Sequence, residues 1–335
     1  MPLLTTGDLS RHFQSTQNMA RVKTRLNTLA QELSSGRVAD VSLRLGAGAS
    51  RFANLEHRSN LIESYQSANR ETAQQLSQTQ LALGDIQARQ SELTEHILSL
   101  PMQVTDQFRE SSGQAAEQAF EAIVGNLNLS VSGKSLFAGA ATNGPALASA
   151  EDMMADLRAS VAGVTNAADL ADAVDTWFYD PAGGFDTMGY VGDRGNPVER
   201  NLGDGSTAQI DVRADDTVFR DTLAAAALAA LATDAGVGLS RAEADTALRE
   251  SGTRLLSAAE PLSLAQGKLG RLEAMVETAQ ARQAAEKTSL DTLRNELVSA
   301  DPFETAAALQ DVQVQLELNF ALTARLTGLS MAEYI

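Results

Sequence analysis

Two glycine-rich segments have residue types that bind phosphate groups in other proteins. Ser132–Ser135 has the sequence SGKS, the end of a phosphate-binding loop, and Gly46–Arg51 has GAGASR, the start of a dinucleotide-binding turn. The phosphate-binding loop requires a glycine five residues before Gly133, and that position is Asn128. The dinucleotide-binding turn requires glycine where Arg51 stands. We therefore predict a corner of small residues and a flexible connector, and no cofactor.

The histidines and the acidic loop residues do not form a catalytic or metal-binding pattern. The three histidines are scattered along the chain, without the spacing of metal ligands. Four acidic residues among glycines could ligate calcium, but they lack the loop spacing of known calcium sites, so turn formation and solvation explain them. These residues are Asp193, Asp204, Asp215 and Asp216. No metal and no catalytic residue is predicted, and the chain is not expected to be an enzyme.

The composition favours thin helical packing over a thick globular core. The chain has 335 residues, enough for two or three domains, and 44% of them are hydrophobic while only 4% are aromatic. The apolar side chains are mostly Ala, Leu and Val, which suit narrow contacts between helices. The absence of cysteine excludes disulfides and thiolate metal sites but leaves the cellular compartment open.

Charge and hydropathy argue against nucleic-acid and membrane partners. The net charge is −17, and residues 140–249 carry seven Arg, no Lys and eighteen Asp and Glu. A nucleic-acid-binding chain would show a concentrated basic face with aromatic residues for stacking. The chain has no run of about twenty apolar residues, which a membrane-spanning helix would need. The first residues lack the features of a cleavable secretion signal, so the protein is expected to stay inside the cell or to leave it without signal cleavage.

Apolar residues at alternating steps of three and four predict helices at both ends of the chain. This spacing places one side chain per turn on a single seam, which is buried by winding against another helix. Gln283 and Glu286 interrupt the seam, and they either set the helix register from a buried position or mark a face toward water. The predicted rod seam consists of Leu76, Leu83, Ile86, Leu93, Leu269, Leu272, Val276, Leu290, Leu293 and Leu297.

Two long helices are predicted to form the rods, Phe52–Leu100 and Ser251–Ala300. Pro101 interrupts the chain after the first of them. Gly267 and Gly270 lie inside the second, where each costs up to about 1 kcal/mol relative to Ala. We therefore expect a closely packed neighbour at these two glycines.

The middle of the chain differs from the ends in composition and in predicted structure. Residues 149–176 and 217–250 have helical character, whereas the segment between them is dense in Gly, Asp and Asn. Within that segment, the apolar alternation at Gln209–Val212 predicts a strand. The predicted fold is therefore mainly α, with long antiparallel coiled-coil rods formed by both chain ends and a small α/β insert. Three domains are expected: 1–40 with 301–335, 41–140 with 250–300, and 141–249.

The terminal helices are each held by one narrow seam and are separated from the rods by Gly or Pro. Such helices are marginal alone, because nucleation and chain entropy oppose them. The pattern fits tails that become ordered only when neighbouring subunits pack around them, and it equally fits an ordinary bundle with stable ends. The predicted assembly residues of the tails are Leu26, Leu29, Leu33, Leu316, Phe320, Leu322, Leu326, Leu329 and Tyr334.

Several segments resemble the bacterial flagellin family. LNTLAQELSSGRVAD at Leu26–Asp40 resembles its N-terminal signature, and the resemblance continues through Ser50–Arg58 and Tyr65–Ile86. DVQVQLELNFALTARLTGLSMAEYI at Asp311–Ile335 resembles its C-terminal tail. SGKSLFAG at Ser132–Gly139 is similar to the segment where such chains leave the rod for the outer domain. The resemblance covers about the first 140 and the last 85 residues.

Two kinds of family member fit this resemblance, the filament subunit and the hook–filament junction protein, a hook-associated protein of the FlgL type. The terminal sequence LSMAEYI resembles the ending of junction proteins. The central sequence YVGDRGNPVERNLGDGSTAQIDV resembles their small β-containing domain. The resemblance therefore favours a junction protein, with the filament subunit as the alternative. A coiled-coil scaffold in the cytoplasm is the alternative from another class.

The resemblance implies a structural role in bacterial motility, at an extracellular location in the flagellum. It implies export by the flagellar type III system without signal cleavage, termini that line an inner tube, and an insert that points outward. The implied partners are the first hook-associated protein, flagellin, further copies of this chain in a ring, and a flagellar export chaperone. No nucleic acid, membrane or small-molecule substrate is implied.

Overall fold

The computed structural model describes residues 6–41, 44 and 46–332 of the chain, and the side chains of 13–41, 44, 46 and 48–325. The chain divides into two compact units. The terminal unit contains the described residues of Met1–Glu63 and Ala284–Ile335, and the central unit is Ser64–Gln283. The domain division predicted above is a different one, in three parts, and it stays a prediction.

The described residues are mostly helical. Their α-helices are α1 (Thr6–Ser35), α2 (Ala49–Leu98), α3 (Asp106–Leu127), α4 (Ala150–Ser160), α5 (Ala167–Tyr179), α6 (Thr217–Ala232), α7 (Arg241–Val298) and α8 (Pro302–Ala332). Their strands are β1 (Ser130–Val131), β2 (Lys134–Ser135), β3 (Val198–Gly203) and β4 (Ser206–Ile210). A single π-helical turn covers Phe185–Gly189. This architecture confirms a mainly α fold with a small β-containing part.

The two long rod helices are confirmed, but the second begins earlier than predicted. Helix α7 starts at Arg241, ten residues before Ser251, and runs without a break past Pro261. The prediction of one helix over 217–250 is wrong, because α6 ends at Ala232 and the rest of that range after the interruption belongs to α7. The interruption lies at residues 233–240, where Gly238 adopts a positive φ of 74°. Glycine takes that conformation at little cost, so it ends one helix and redirects the chain into the next.

The strands form two antiparallel hairpins with two-residue turns. β1 pairs with β2 through Val131 and Lys134, and β3 pairs with β4 through Gly203 and Ser206. In the second turn, both Asp204 and Gly205 have positive φ. This conformation is typical of type I′ turns, whose twist matches that of the strands they connect. The strand predicted at Gln209–Val212 overlaps β4, but β4 begins three residues earlier, at Ser206, and ends two residues earlier, at Ile210.

The core of the central unit is built around α6. Its residues from Thr222 to Ala232 are all buried, and the helix packs against α3 and α5. Phe219, at the start of α6, meets Phe137 edge to face, with ring centroids 5.9 Å apart. Small alanine side chains let helices approach closely on every side, so α6 is the centre of a packed layer.

The terminal unit contains α1 packed against α8. Gly36 follows α1 with a φ of 66°, and its amide donates to the Glu32 carbonyl at 2.8 Å, which is typical of a glycine that ends a helix. Asp301 caps α8 by accepting from the amides of Phe303 and Glu304 at 2.8 and 3.2 Å. Pro302 occupies the first helical position, where its missing amide hydrogen leaves no hydrogen bond unmade.

Candidate assembly surfaces

The predicted rod seam consists of buried or half-buried residues. Leu76, Leu83, Ile86, Leu93, Leu269 and Val276 of the central unit are buried, and Leu272 is half-buried. In the terminal unit, Leu290 is buried, whereas Leu293 and Leu297 are half-buried. These positions follow the three- and four-residue steps that define a helix–helix contact. These residues pack helices of one chain against each other, and a role for them in contacts between subunits stays a prediction.

A polar layer interrupts the seam of the central unit and decides the role of Gln283. Gln283 is buried and donates its Nε2 to the Leu202 carbonyl at 2.6 Å. Asn69 of α2 donates its Nδ2 to the same carbonyl at 3.0 Å and to Gln283 Oε1 at 3.1 Å. The interpretation of Gln283 as a face toward water is therefore wrong. The two amides join α2, α7 and β3, and fix the position of the hairpin on the helices.

Glu286 belongs to the terminal unit, and there it forms a partly exposed ion pair. It accepts from Arg58 Nε at 2.6 Å, with about a quarter of its side chain exposed. An ion pair between partly exposed groups contributes little to stability. Gln283 and Glu286 thus break the seam for two different reasons, one buried and one at the rim.

The expectation of a close neighbour at Gly267 and Gly270 is wrong. A methyl group placed on either glycine would meet no described atom within 4 Å. The close approach of α7 to α2 occurs instead at Gly252, where a Cβ atom would lie 2.9 Å from Ile97 Cγ2. Glycine in a helix marks tight packing at Gly252 and at Gly113 of α3, where a Cβ atom would clash with Thr233 Oγ1, but not at Gly267 or Gly270. Spacing alone does not tell which helix face carries a neighbour.

The terminal hairpin covers only part of its predicted tail residues. Leu26, Leu29 and Leu316 are half-buried between α1 and α8, whereas Leu33, Phe320 and Leu322 are exposed. The side chains of Leu326 and Leu329, and all of Tyr334, lie outside the described residues. The structure therefore brings three of the six described tail residues toward the contact between the helices and leaves the other three on the outside.

Helix α8 carries a second apolar stripe that the sequence analysis missed. Thr305 and Val312 are buried toward α1, but Val314, Leu318 and Leu322 are exposed. Val314 is two residues from Val312, and two residues turn a helix by about 200°. Val314 therefore lies on the side of α8 opposite to Val312, while Leu318 is turned about 120° and Leu322 about 80° from Val312. The signal was present in the sequence, because positions 314, 318 and 322 recur every four residues.

Asp215, one of the four acidic residues noted in the sequence, belongs with Asp186 to an ion-pair network with arginines of the central unit. Asp215 is 3.3 Å from Arg213 and 3.6 Å from Arg194, and Asp186 is 2.7 Å from Arg194. Burial raises the pKa of the Asp216 carboxyl, whose Oδ2 accepts from the Arg213 amide at 3.0 Å. Among the residues with described positions, no group of three or more acidic or histidine side chains could hold a metal ion.

Arginine and tyrosine side chains complete this network. Arg220 is 3.2 Å from Asp186 and lies over the Phe185 ring, 4.5 Å from its centroid. Burial and the nearby Asp215 raise the pKa of Tyr190 to about 12, and its hydroxyl donates to the Asp193 carbonyl at 3.0 Å. The network holds the irregular segment before α6 in one conformation.

The other motifs with possible chemistry have structural roles in the described chain. SGKS forms the turn between β1 and β2, where Lys134 pairs with Glu71 at 2.9 Å. His96 stacks on Phe108 with ring centroids 5.0 Å apart, and its Nε2 is 3.1 Å from Ser112 Oγ, so it packs α2 against α3. His57 is exposed, and the side chain of His12 lies outside the described residues. No helix within the described ranges has the length and hydropathy of a membrane span.

Comparison with known proteins gives a match to one family model and similarity to a number of solved structures. Residues 10–142 match the bacterial flagellin N-terminal helical region. No curated protein matches the chain in sequence. A structure from Vibrio parahaemolyticus, described as a flagellar hook-associated protein, is similar with a TM-score of 0.54 and 15% identity over 75% of this chain and 97% of that one. The crystal structure of Bacillus cereus FlgL has a TM-score of 0.42 and 14% identity over 74% and 99%, too distant to carry an argument.

The fold and the family match together define the class of this protein. Long helices lie toward both ends of the chain, and a small β-containing segment lies between them in sequence, which is a flagellin-like arrangement. The resemblance noted at Leu26–Asp40, Ser50–Arg58 and Tyr65–Ile86 is confirmed by the match over residues 10–142. The chain is flagellin-like, its fold is similar to that of a flagellar hook-associated protein, and it is similar to structural components of the bacterial flagellum.

Proposed function

We propose that this chain is a structural, non-catalytic component of the flagellum that joins the hook to the filament. The observation that carries the proposal is the outer apolar stripe of α8, formed by Val314, Leu318 and Leu322. An apolar stripe along a helix is stable in water only when another surface covers it. Since α1 packs against the side of α8 that carries Val312, the outer stripe is available to neighbouring subunits.

The exposed aromatic residues of the terminal unit support the same role. Phe303 is 87% exposed and Phe13 is 69% exposed, although both belong to helices of the hairpin. Large aromatic side chains contribute much of the binding free energy where subunits meet. The tails 1–40 and 301–335 would then form the innermost layer of a tube, the paired rods the next layer, and the insert 141–249 the outside.

The partners proposed are other flagellar components. They are the first hook-associated protein on the hook side, flagellin on the filament side, copies of this chain around the same level, and an export chaperone before secretion. Export by the flagellar type III system would require the chain to unfold for passage. The absence of cysteine is compatible with such passage, because no disulfide can lock the chain.

The test replaces the outer stripe while keeping the full chain. Val314→Ser, Leu318→Ser and Leu322→Ser are introduced together in the source bacterium in place of the native gene. We expect the variant protein to fold but to fail to add at hook tips, so that filaments do not form. The matched control replaces Gln313 and Gln315 of α8, both exposed and polar, by Ser. Normal filaments on cells with the triple variant would contradict the proposal.

Two further measurements separate the proposed role from its alternatives. A filament subunit grows long filaments when purified protein is added to filament seeds, and a junction protein does not. A cytoplasmic scaffold would be found in the cell body and would have no need to lose its tails to a protease. Rapid proteolysis of both tails in the monomer, together with absence of seeded growth, is the result expected for a junction protein.

A further inference from the structure

We propose that two oppositely charged faces of the central unit join neighbouring copies of this chain. The inference rests on the assembly of several copies proposed above, and it specifies a surface that joins them. The acidic face lies on α2 and consists of Leu81, Gly84, Asp85, Ala88, Glu92 and Glu95. The basic face lies on α7 and consists of Leu264, Gly267, Lys268, Arg271, Met275, Thr278 and Arg282.

The acidic face is a single stripe that points away from the core. Its members recur at steps of three and four residues, so they share one side of α2, opposite to the buried Leu83 and Ile86. All six members are exposed, and Leu81 is 61% exposed. Within the described part of the chain, Glu92 pairs with Arg89 at 2.9 Å, and Asp85 has no ion-pair partner. The stripe thus presents carboxylates around one protruding leucine.

The basic face stands out in a chain whose net charge is −17. Lys268, Arg271 and Arg282 are exposed, and none of them forms an ion pair with any described residue. Glu273 and Glu277 lie on the same helix, but each is two residues from Met275 and is therefore turned about 160° away from it. Three free cations with no carboxylate between them form a surface that attracts a negatively charged partner.

The basic face also contains a hollow that fits an apolar side chain. The hollow has a volume of about 440 Å³, and Arg271 and Arg282 stand at its two ends. Its other lining residues are Leu202, Ser206, Ala274, Met275, Thr278 and Ala279. An exposed leucine on a partner helix would bury its side chain there while carboxylates beside it meet the arginines. The acidic face of α2 has both features.

The spacing of the two faces matches when the helices run in opposite directions. With Leu81 opposite Met275, Asp85 is opposite Arg271, because both steps are four residues long. Lys268 then lies opposite Ala88, between Asp85 and Glu92. The apolar contact and the ion pairs are therefore formed in one register.

Copies placed side by side in the same orientation bring the two faces together. In one copy, Gln87 Nε2 of α2 donates to Ser263 Oγ of α7 at 3.3 Å, which fixes the level of one helix against the other. By that register, Leu81 is level with Leu269 of the same copy, and Leu269 is six residues, or about 9 Å along the helix, from Met275. An axial shift of about that size between neighbouring copies therefore brings Leu81 of one copy opposite Met275 of the other. The contact is heterologous, so each copy uses its acidic face on one side and its basic face on the other.

The test exchanges the charges in full-length protein. One variant carries Asp85→Lys with Glu92→Lys and so is basic on both faces, and the other carries Lys268→Glu with Arg271→Glu and is acidic on both. Each variant alone should self-associate on the order of tenfold or more weakly than the parent chain. An equimolar mixture should recover association, because each copy then meets a complementary neighbour. Sedimentation velocity at low ionic strength, up to about 1 mM protein, measures this.

A charge-matched control separates the faces from net charge. Glu110→Lys with Glu121→Lys on α3 changes the net charge as Asp85→Lys with Glu92→Lys does, at exposed positions outside both faces. This control should associate like the parent chain. The proposal is overturned if the parent shows no association, if either face variant associates like the parent, or if the mixture is no better than its parts. The two proposals can fail separately. If the mixture recovers association but the α8 triple-serine variant still adds normally at hook tips, the junction role is refuted and this contact between copies is kept.

Discussion

Helices α6 and α8 are both rich in apolar residues, but they are covered very differently. From Thr222 to Ala232 every residue of α6 is buried, and its neighbours α3 and α5 belong to the same unit. In α8, the stripe through Val312 faces α1, whereas Leu318 and Leu322 remain exposed. A helix that is apolar on all sides must be enclosed. The chain itself encloses α6, and we infer that other subunits enclose α8.

The largest expected effect comes from the core around α6. Phe219→Ala should lower the free energy of unfolding by about 3–5 kcal/mol, because it removes a fully buried ring and leaves a cavity. Urea denaturation, followed by circular dichroism and by the fluorescence of Trp177, measures the change. The matched control is Phe303→Ala in α8, which should change the free energy by less than about 0.5 kcal/mol. If Phe219→Ala and Phe303→Ala lowered the free energy of unfolding equally, α6 would be no more enclosed than α8, and the comparison would be wrong.

A smaller effect is expected from the polar layer of the central unit. Gln283→Leu removes one of the two donors to the Leu202 carbonyl and should cost about 1–3 kcal/mol. Gln74→Leu on the exposed side of α2 is the control and should be nearly neutral. The midpoint of urea denaturation distinguishes them. A stable Gln283→Leu variant would mean that the hairpin β3–β4 is held without this layer.

A gain in stability is expected where a helix glycine has no neighbour. Gly267→Ala should raise the free energy of unfolding by about 0.5–1 kcal/mol, because alanine favours the helix and its methyl group meets no described atom within 4 Å. Gly252→Ala is the opposite case, since its Cβ would lie 2.9 Å from Ile97. Thermal denaturation should move the two variants in opposite directions. Destabilisation by Gly267→Ala would indicate a neighbour packed on that side of α7.

The smallest effect on stability is expected in the outer stripe of α8. Leu322→Ser should change the free energy of unfolding by less than about 0.5 kcal/mol, since the side chain is already exposed. The same variant should bind less of a dye that fluoresces on exposed apolar surface. Leu228→Ser in α6 is the comparison, and it should unfold the central unit instead. Unchanged dye binding by Leu322→Ser would place the exposed apolar surface elsewhere.

Regular periodicity allowed much of the fold to be predicted. The three- and four-residue steps located α2 and most of α7. The start of α7 was missed because residues 241–250 continue a helical pattern that also fits the helix before them. Residues 233–240 separate the two helices through a turn at Asp234, whose Oδ1 accepts from the Gly236 amide, and through the positive φ of Gly238. The two glycines are a turn signal that the prediction of a helix over 217–250 did not use.

The candidate surfaces were predicted less well, for reasons that lie in three-dimensional packing. Gln283 interrupts an apolar seam, a context that fits either a buried or an exposed amide, and the approach of the Leu202 carbonyl makes it a core residue. The outer stripe at Val314 and Leu318 was overlooked because the inner stripe of α8 already accounted for its periodicity. The acidic residue Asp215 needed Arg194 and Arg213 nearby to show that it is an ion-pair partner. Sequence spacing identifies faces, but it does not tell which faces meet.

Hydrogen–deuterium exchange on the dilute monomer tests the central claim most directly. The claim is that α1 and α8 are incompletely covered in one copy, whereas α6 is enclosed within it. The account predicts fast exchange of amides in α1 and α8, and exchange in α6 that requires unfolding of the central unit. Protection of α8 as strong as that of α6, in a sample shown to be monomeric, would contradict it.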